Sequence, residues 1–251
     1  MKNIQLSKRL SAVASLVSRG ARVCDVGTDH GFVPIYLINS NTAQHVIAMD
    51  VGEGPLSRAK EHIAEYGYED FIETRLSDGM EKLSAGEADT LICAGMGGLL
   101  MKKILERGNP VKLGLKHMIL QPQSDLRAFR EYLREAGFFI IDEKEIFEEG
   151  KYYVAMLTEV SEEKKLPEAY EKAAEVIMKS GDYSIEDAVR ICDKFGPCLI
   201  LEKNADLKKY LEHELEIAES ILLKLSENTH PDRERDIIIK KNDITTALNL
   251  L

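Results

Sequence analysis

The sequence has no excess of positive charge, no long apolar run, no paired cysteines and no third glycine in its principal glycine loop. Each absence removes a class of function. A formal net charge of −10 counts against a nonspecific nucleic-acid binder, which needs a clustered positive surface to neutralise phosphates. No window approaches the roughly 18 uncharged apolar residues of a membrane span. Lys2, Lys8 and Arg9 near the N-terminus are followed by no unbroken apolar stretch that would mark an export signal. Neither a membrane nor an export route is expected. The four cysteines, Cys24, Cys93, Cys192 and Cys198, form no CxxC pair, and two lie in apolar strand-like runs. Disulfides and a metal site are therefore not expected, and a reducing cytoplasm fits. No internal repeat or low-complexity tract suggests a solenoid.

What is present is mass and alternation. A chain of 251 residues accommodates one large domain with ample core and a small appendage. Its charge is uneven: residues 1–158 carry 19 Lys and Arg against 22 Asp and Glu, whereas residues 159–251 carry 14 against 21. The first part can therefore own a basic face. Candidates are Lys8, Arg9, Arg19 and Arg22, then Lys102, Lys103, Arg107, Lys112 and Lys116, then Arg127, Arg130 and Arg134. Read singly, such charges are ordinary solvated helix faces.

The spacing of Leu6, Leu10, Val13, Leu16 and Val17 predicts an amphipathic helix ending before Gly20. Strand-like and helix-like patterns then alternate: strands from Val23, at Val46–Asp50, Phe71–Leu76, Thr90–Ala94 and Met118–Gln121, with helices between them. Phe138–Phe147 and Tyr152–Thr158, split by Glu148-Glu149-Gly150-Lys151, read as a closing hairpin. This order predicts an α/β protein with a mostly parallel, doubly wound sheet over residues 1–160. A charged linker begins near Ser161. Residues 161–251 then read as helical, with a capping-box start at Ser184-Ile185-Glu186-Asp187 and a break at Phe195-Gly196-Pro197. The last long helix carries a near-heptad seam at Leu207, Leu211, Leu215, Ala218, Leu222 and Leu225, as in a helical hairpin or short coiled coil.

Chemistry concentrates after the strands, where ligands bind in such a sheet. Val23-Cys24-Asp25-Val26-Gly27-Thr28-Asp29-His30-Gly31 is a strand, a turn and the start of a helix. That arrangement gathers backbone N–H groups at a helix N-terminus. A dinucleotide loop needs G-x-G-x-x-G to admit a pyrophosphate. Here two glycines flank Asp29 and His30, which disfavours an NAD-dependent oxidoreductase. An acidic loop suits S-adenosyl-L-methionine, which has no phosphate and carries sulfonium and ammonium cations. Asp50, with Val51 after it, is placed to accept from both ribose hydroxyls. In Asp78-Gly79-Met80 the carboxylate can take the adenine amine and Met80 can cover the ring. Gly95-Met96-Gly97-Gly98 is too glycine-rich for ordinary packing. Gln121-Pro122-Gln123-Ser124-Asp125 closes the series. Taken singly, Asp125 also reads as a support for the next helix, and His30 as a structural histidine.

Together, Leu6-Ser7-Lys8-Arg9-Leu10, Asp25-Val26-Gly27-Thr28-Asp29-His30-Gly31 with Pro34, Gly95-Met96-Gly97-Gly98 and Gln121-Pro122-Gln123 resemble the bacterial tRNA (adenine-N1)-methyltransferases of the TrmK family. Gln123 departs from that pattern, which has Asn there. The resemblance implies a Rossmann-like class I methyltransferase sheet in the order 3-2-1-4-5-7-6 with a C-terminal coiled-coil-like helical domain. It also implies S-adenosyl-L-methionine as methyl donor, and adenine 22 of tRNA as acceptor. Adenine N1 has its own lone pair, so transfer needs alignment more than a base. A carboxylate near the developing charge helps, with Asp29 the first candidate and Asp125 the second; His30 or Gln121 could meet the base edge. Two other readings stay open at this point. One is a methyltransferase acting on a small molecule or protein; the other is a nonenzymatic module that holds a nucleoside while its helical hairpin binds a partner protein.

Overall fold

The computed structural model describes residues 4–161, 163, 165–225 and 231–251. Lys2 and two positions of the expected linker, 162 and 164, lie outside them. The chain divides into two compact units, Met1–Lys165 and Leu166–Leu251.

In the first unit, helix α1 (Lys8–Ser15) begins where the Ser7 hydroxyl accepts the Leu10 N–H. It is shorter than its apolar spacing predicts, yet Leu16 and Val17 beyond it are still buried. Next come β1 (Ala21–Val26), α2 (Phe32–Asn39), β2 (Ala43–Asp50), α3 (Glu53–Tyr66) and β3 (Ile72–Leu76). They are followed by β4 (Thr90–Met96), α4 (Gly98–Gly108), the short α5 (Pro110–Leu113), β5 (His117–Pro122), α6 (Leu126–Glu135), β6 (Phe138–Glu148) and β7 (Lys151–Val160). The seven strands form one sheet in the order β3-β2-β1-β4-β5-β7-β6. Neighbours from β3 to β5 run parallel, and β7 lies antiparallel to both β5 and β6. The β6–β7 turn has Glu149 and Gly150 at φ 49 and 78. Two positive φ values twist the turn to match the strands it joins.

The inner strands β1, β2, β4 and β5 are largely buried on both faces and read as near-continuous apolar runs, whereas the outer strands β3 and β6 are partly exposed. Helix α2 is buried at Val33, Pro34, Ile35, Leu37 and Ile38 because it lies among β2, α1 and α3. Two cations of the expected basic face are engaged elsewhere. Arg130 is 1% exposed and its Nε donates to Glu143 of β6 at 2.8 Å, pinning α6 to the sheet. Arg22 pairs with Asp89 at 3.4 Å at the amino end of β1, away from the ligand-bearing edge.

The order in which strands are added reverses between β1 and β4: β1 leads outward to β2 and β3, β4 outward to β5 on the other side. The crevice beyond the carboxyl ends at such a reversal is where open α/β sheets bind ligands.

The second unit contains α7 (Glu168–Ser180), α8 (Ile185–Phe195), α9 (Pro197–Leu201), α10 (Ala205–Leu225) and α11 (Pro231–Leu248). The Ser184–Asp187 capping box forms with both reciprocal hydrogen bonds. Gly196, at φ 90, stops α8, and Pro197 starts α9. The leucine seam of α10 is not on the last helix: α11 follows, packs along α10 and also meets α7 and α8. Leu207, Leu211, Ala218 and Leu225 are buried within this unit. Among the described residues, no helix is long and apolar enough to cross a membrane, and no group of three His, Cys, Asp or Glu could hold a metal.

Candidate active site

Register fixes five turns on one edge. Val26 pairs with Met49 and Cys93, Asp50 with Leu76, and Ala94 with Gln121. The turns that follow these residues therefore open side by side.

The first turn is built around Gly27, at φ 80. The Gly27 and Thr28 N–H groups both donate to the Met49 carbonyl, at 2.8 and 2.9 Å, which ties the turn to β2. A Cβ at position 27 would fall 2.0 Å from the Met96 methyl, the mobile end of a flexible side chain, so it is the positive φ that favours glycine here. Below the turn, Asp25 is buried. Burial lifts its carboxyl to about 6; the Thr28 hydroxyl opposes that rise and the charge of Asp50 adds to it. The Thr28 hydroxyl is itself buried, and it makes no well-formed hydrogen bond. A low-dielectric carboxylate with a neighbouring carboxylate is short of positive charge.

Further along, the backbone turns left-handed at His30 and Gly31, φ 62 and 69, to enter α2. Asp29 is thereby thrown outward, 72% exposed. Its Oδ1 lies 3.3 Å from His30 Nε2 and 3.8 Å from the Arg58 guanidinium of α3. His30 stacks with Phe32 and His62, ring centroids 5.4 and 5.6 Å away, and its carbonyl meets His62 Nδ1 at 2.8 Å. Arg58 and His62, four residues apart on one helical face, support this loop. Their spacing was the only signal for them in the sequence.

Asp50 ends β2 with Oδ1 accepting the Gly52 N–H at 2.7 Å, and Val51 beside it is exposed. In the third turn, Gly79 has φ 57, and Asp78 pairs with Arg107 of α4 at 2.9 Å. Glu81 meets the same guanidinium. Met80 is 3% exposed, its side chain lying against Gly108, and it lines a small depression together with Asp78 and Gly79.

The fourth turn follows a register slip between Ala94 and Met96, with Gly95 at φ 84. Gly97 lies against the Ser124 hydroxyl, and the Gly98 N–H donates to the Ser124 carbonyl at 3.2 Å. Gln123 N–H donates to the Met96 carbonyl at 2.8 Å, which locks the fourth and fifth turns together. Gln121 is fully buried; its Oε1 accepts from the Arg9 guanidinium at 2.7 Å. Asp125, at φ 58, stands at the head of α6 without capping it, its carboxylate accepting the Ser124 hydroxyl at 2.7 Å.

The edge thus presents Asp25, Asp29, Asp50 and Asp78 around glycine turns with no pyrophosphate cradle. That donor set fits a cationic nucleoside: acceptors for hydroxyls and amines, and buried negative charge for an ammonium or sulfonium.

A family model for a methyltransferase domain matches residues 6–156. The tRNA (adenine(22)-N(1))-methyltransferase of Bacillus subtilis (strain 168) is 30% identical over 251 residues, spanning 100% of this chain and 97% of that protein. The crystal structure of the B. subtilis tRNA methyltransferase TrmK superposes with a TM-score of 0.80 at 30% identity, covering 98% of this chain and 100% of that one. The Streptococcus pneumoniae Sp1610 structure in complex with S-adenosyl-L-methionine gives a TM-score of 0.79 at 28% identity over 97% and 100% of the two chains. With a Rossmann-like sheet, its acidic edge and full-length similarity in agreement, the chain belongs to the TrmK family of tRNA (adenine(22)-N1)-methyltransferases.

Proposed function

We propose that this chain methylates N1 of adenine 22 in tRNA, with S-adenosyl-L-methionine as donor. The reading is carried by the gathering of the Asp29, Asp50, Asp78 and Gln121 turns on one sheet edge. Family membership supports it. In this reading residues 1–160 are the donor-binding domain, residues 161–251 a helical appendage that helps grip tRNA, and the compartment is the cytoplasm.

When bound, S-adenosyl-L-methionine supplies an electrophilic methyl group on a sulfonium. Asp50, held by the Gly52 N–H, accepts from the ribose hydroxyls, and Val51 offers an apolar contact beside it. Asp78, with Gly79 and the Met80 backbone, takes the adenine amine while Arg107 steadies its carboxylate. Asp25, beneath Gly27 and Thr28, answers the ammonium; Gly31, Gly95, Met96 and Gly97 shape the walls. Asp29 stabilises the positive charge that methylation places on the acceptor adenine, and His30 orients its Oδ1. Asp125 stands second in that role, and Gln121 holds the fifth turn in place. The target base must leave its stack to reach this edge, at a cost of a few kcal/mol.

Mass spectrometry of nucleosides from unmodified tRNA incubated with protein and donor tests the reading. N1-methyladenosine is expected, dependent on both. Label ending in metabolites or protein, or no transfer despite tight donor binding, would overturn it.

A further inference from the structure

Arg9 lies on α1, more than a hundred residues from the turn it serves. Its guanidinium donates to Gln121 Oε1 at 2.7 Å and stands over the Tyr153 ring, 5.7 Å from the centroid. A Cβ at Gly95 would lie 3.7 Å from it, so it flanks the fourth and fifth turns together. The helix that carries it is anchored separately: Glu148 of β6 accepts the Lys8 N–H at 2.6 Å and the Arg9 N–H at 3.4 Å. A half-buried cation is thus fixed from four elements.

A guanidinium has five N–H donors in a planar fork. Among the described residues, its only side-chain hydrogen bond is the one to Gln121, and no carboxylate pairs with its charge. Gln121, fully buried, cannot itself reach a ligand; it serves as the strut that aims Arg9. The remaining donors are built for an anion.

Two anions come to this edge in the proposed reaction: the donor's carboxylate and the RNA backbone. Arg9 is held by β5 and β7 on the outer side of the fourth turn, whereas Asp25 and Gly27, which would receive the amino-acid end of the donor, belong to the first; the fourth turn borders both, so donor affinity is one arm of the test. A cation facing the acceptor base directly would oppose methylation, because N1 becomes positive. The charge is useful only where a phosphate lies against it. We propose that Arg9 is a phosphodiester seat that grips the backbone of the everted nucleotide, with Gln121 and Tyr153 as its positioning residues. This rests on the tRNA-methylation reading.

The test uses the full chain and synthetic tRNA bearing neutral methylphosphonates at the linkages flanking adenine 22. For the wild type, this substitution raises KM about 10- to 100-fold, the range of one charge-assisted contact. Arg9→Met suffers a similar rise on native tRNA and no further rise on the neutral linkage. Its log affinity against log salt flattens by about one phosphate's worth. Donor affinity, measured by calorimetry, stays unchanged. Arg9→Lys keeps the salt slope but loses the fork, giving an intermediate KM. The seat is overturned if the wild type ignores the methylphosphonate, if Arg9→Met keeps the full salt slope, or if its donor affinity falls in step with tRNA affinity. Should Arg9→Met fail to fold, the wild-type methylphosphonate arm and Arg9→Lys decide. Failure of the underlying reading shows differently: the wild type then methylates no tRNA at all.

Discussion

The helical unit and the ligand-bearing edge of the sheet treat buried polar groups in opposite ways. In the helical unit, the buried carboxylate of Asp243 receives both Arg190 and Lys194, and Tyr170 donates to Asp193 at 2.7 Å. Tyr183 and Thr246 share a hydrogen bond of 2.6 Å. At the sheet edge, Asp25 is buried beside a second carboxylate with its ionisation resisted. Paired groups specify a shape. Groups left short of a partner hold interaction energy for a ligand, at the expense of the free protein.

Four substitutions probe this contrast, in descending order of effect. Asp29→Ala should lower turnover by about 10²- to 10³-fold, equivalent to roughly 3–4 kcal/mol, with donor affinity by calorimetry changing less. Equal loss of both would make Asp29 a donor ligand only. Asp243→Leu should cost about 3 kcal/mol in denaturant unfolding by removing the buried carboxylate that receives Arg190 and Lys194, with donor binding by the sheet domain intact. A fall in donor affinity would erase the distinction between the units.

Asp25→Asn should do the reverse. Its folded carboxyl at about 6 stands above the ordinary 3.8. The stability it contributes is therefore present below pH 3.8 and lost as pH rises through about 6. At pH 7.5 the free wild type carries a penalty of up to about 3 kcal/mol. The amide removes that penalty, so melting temperature at pH 7.5 rises while donor affinity falls. Donor affinity of the wild type should weaken as pH drops through about 6, and that of Asp25→Asn should stay flat. A less stable variant with unaltered binding would show Asp25 to be an ordinary core group. Ser184→Ala removes one capping bond and should cost about 1 kcal/mol, visible in unfolding and silent in turnover.

Local pattern carried much of this architecture. Alternating periods of two and 3.6 revealed the strands and helices of the sheet, and glycine-bounded acids after strands marked the five turns. What escaped was set by contacts distant in sequence. Arg9 reads as one of many surface cations until β5 brings Gln121 to it, 112 residues away. Arg130 looks like an RNA contact until Glu143 buries it. Helix α11 shows no seam in the sequence; its apolar face becomes evident only against α10.

Positional specificity tests the central claim most directly. Two tRNA transcripts, one with adenine and one with guanine at position 22, would be incubated with protein and donor and mapped by primer extension, which halts at an N1-methylated base. The account predicts a donor-dependent halt at position 22 in the first transcript and none in the second. A halt at another adenine, or full extension through both, would contradict it.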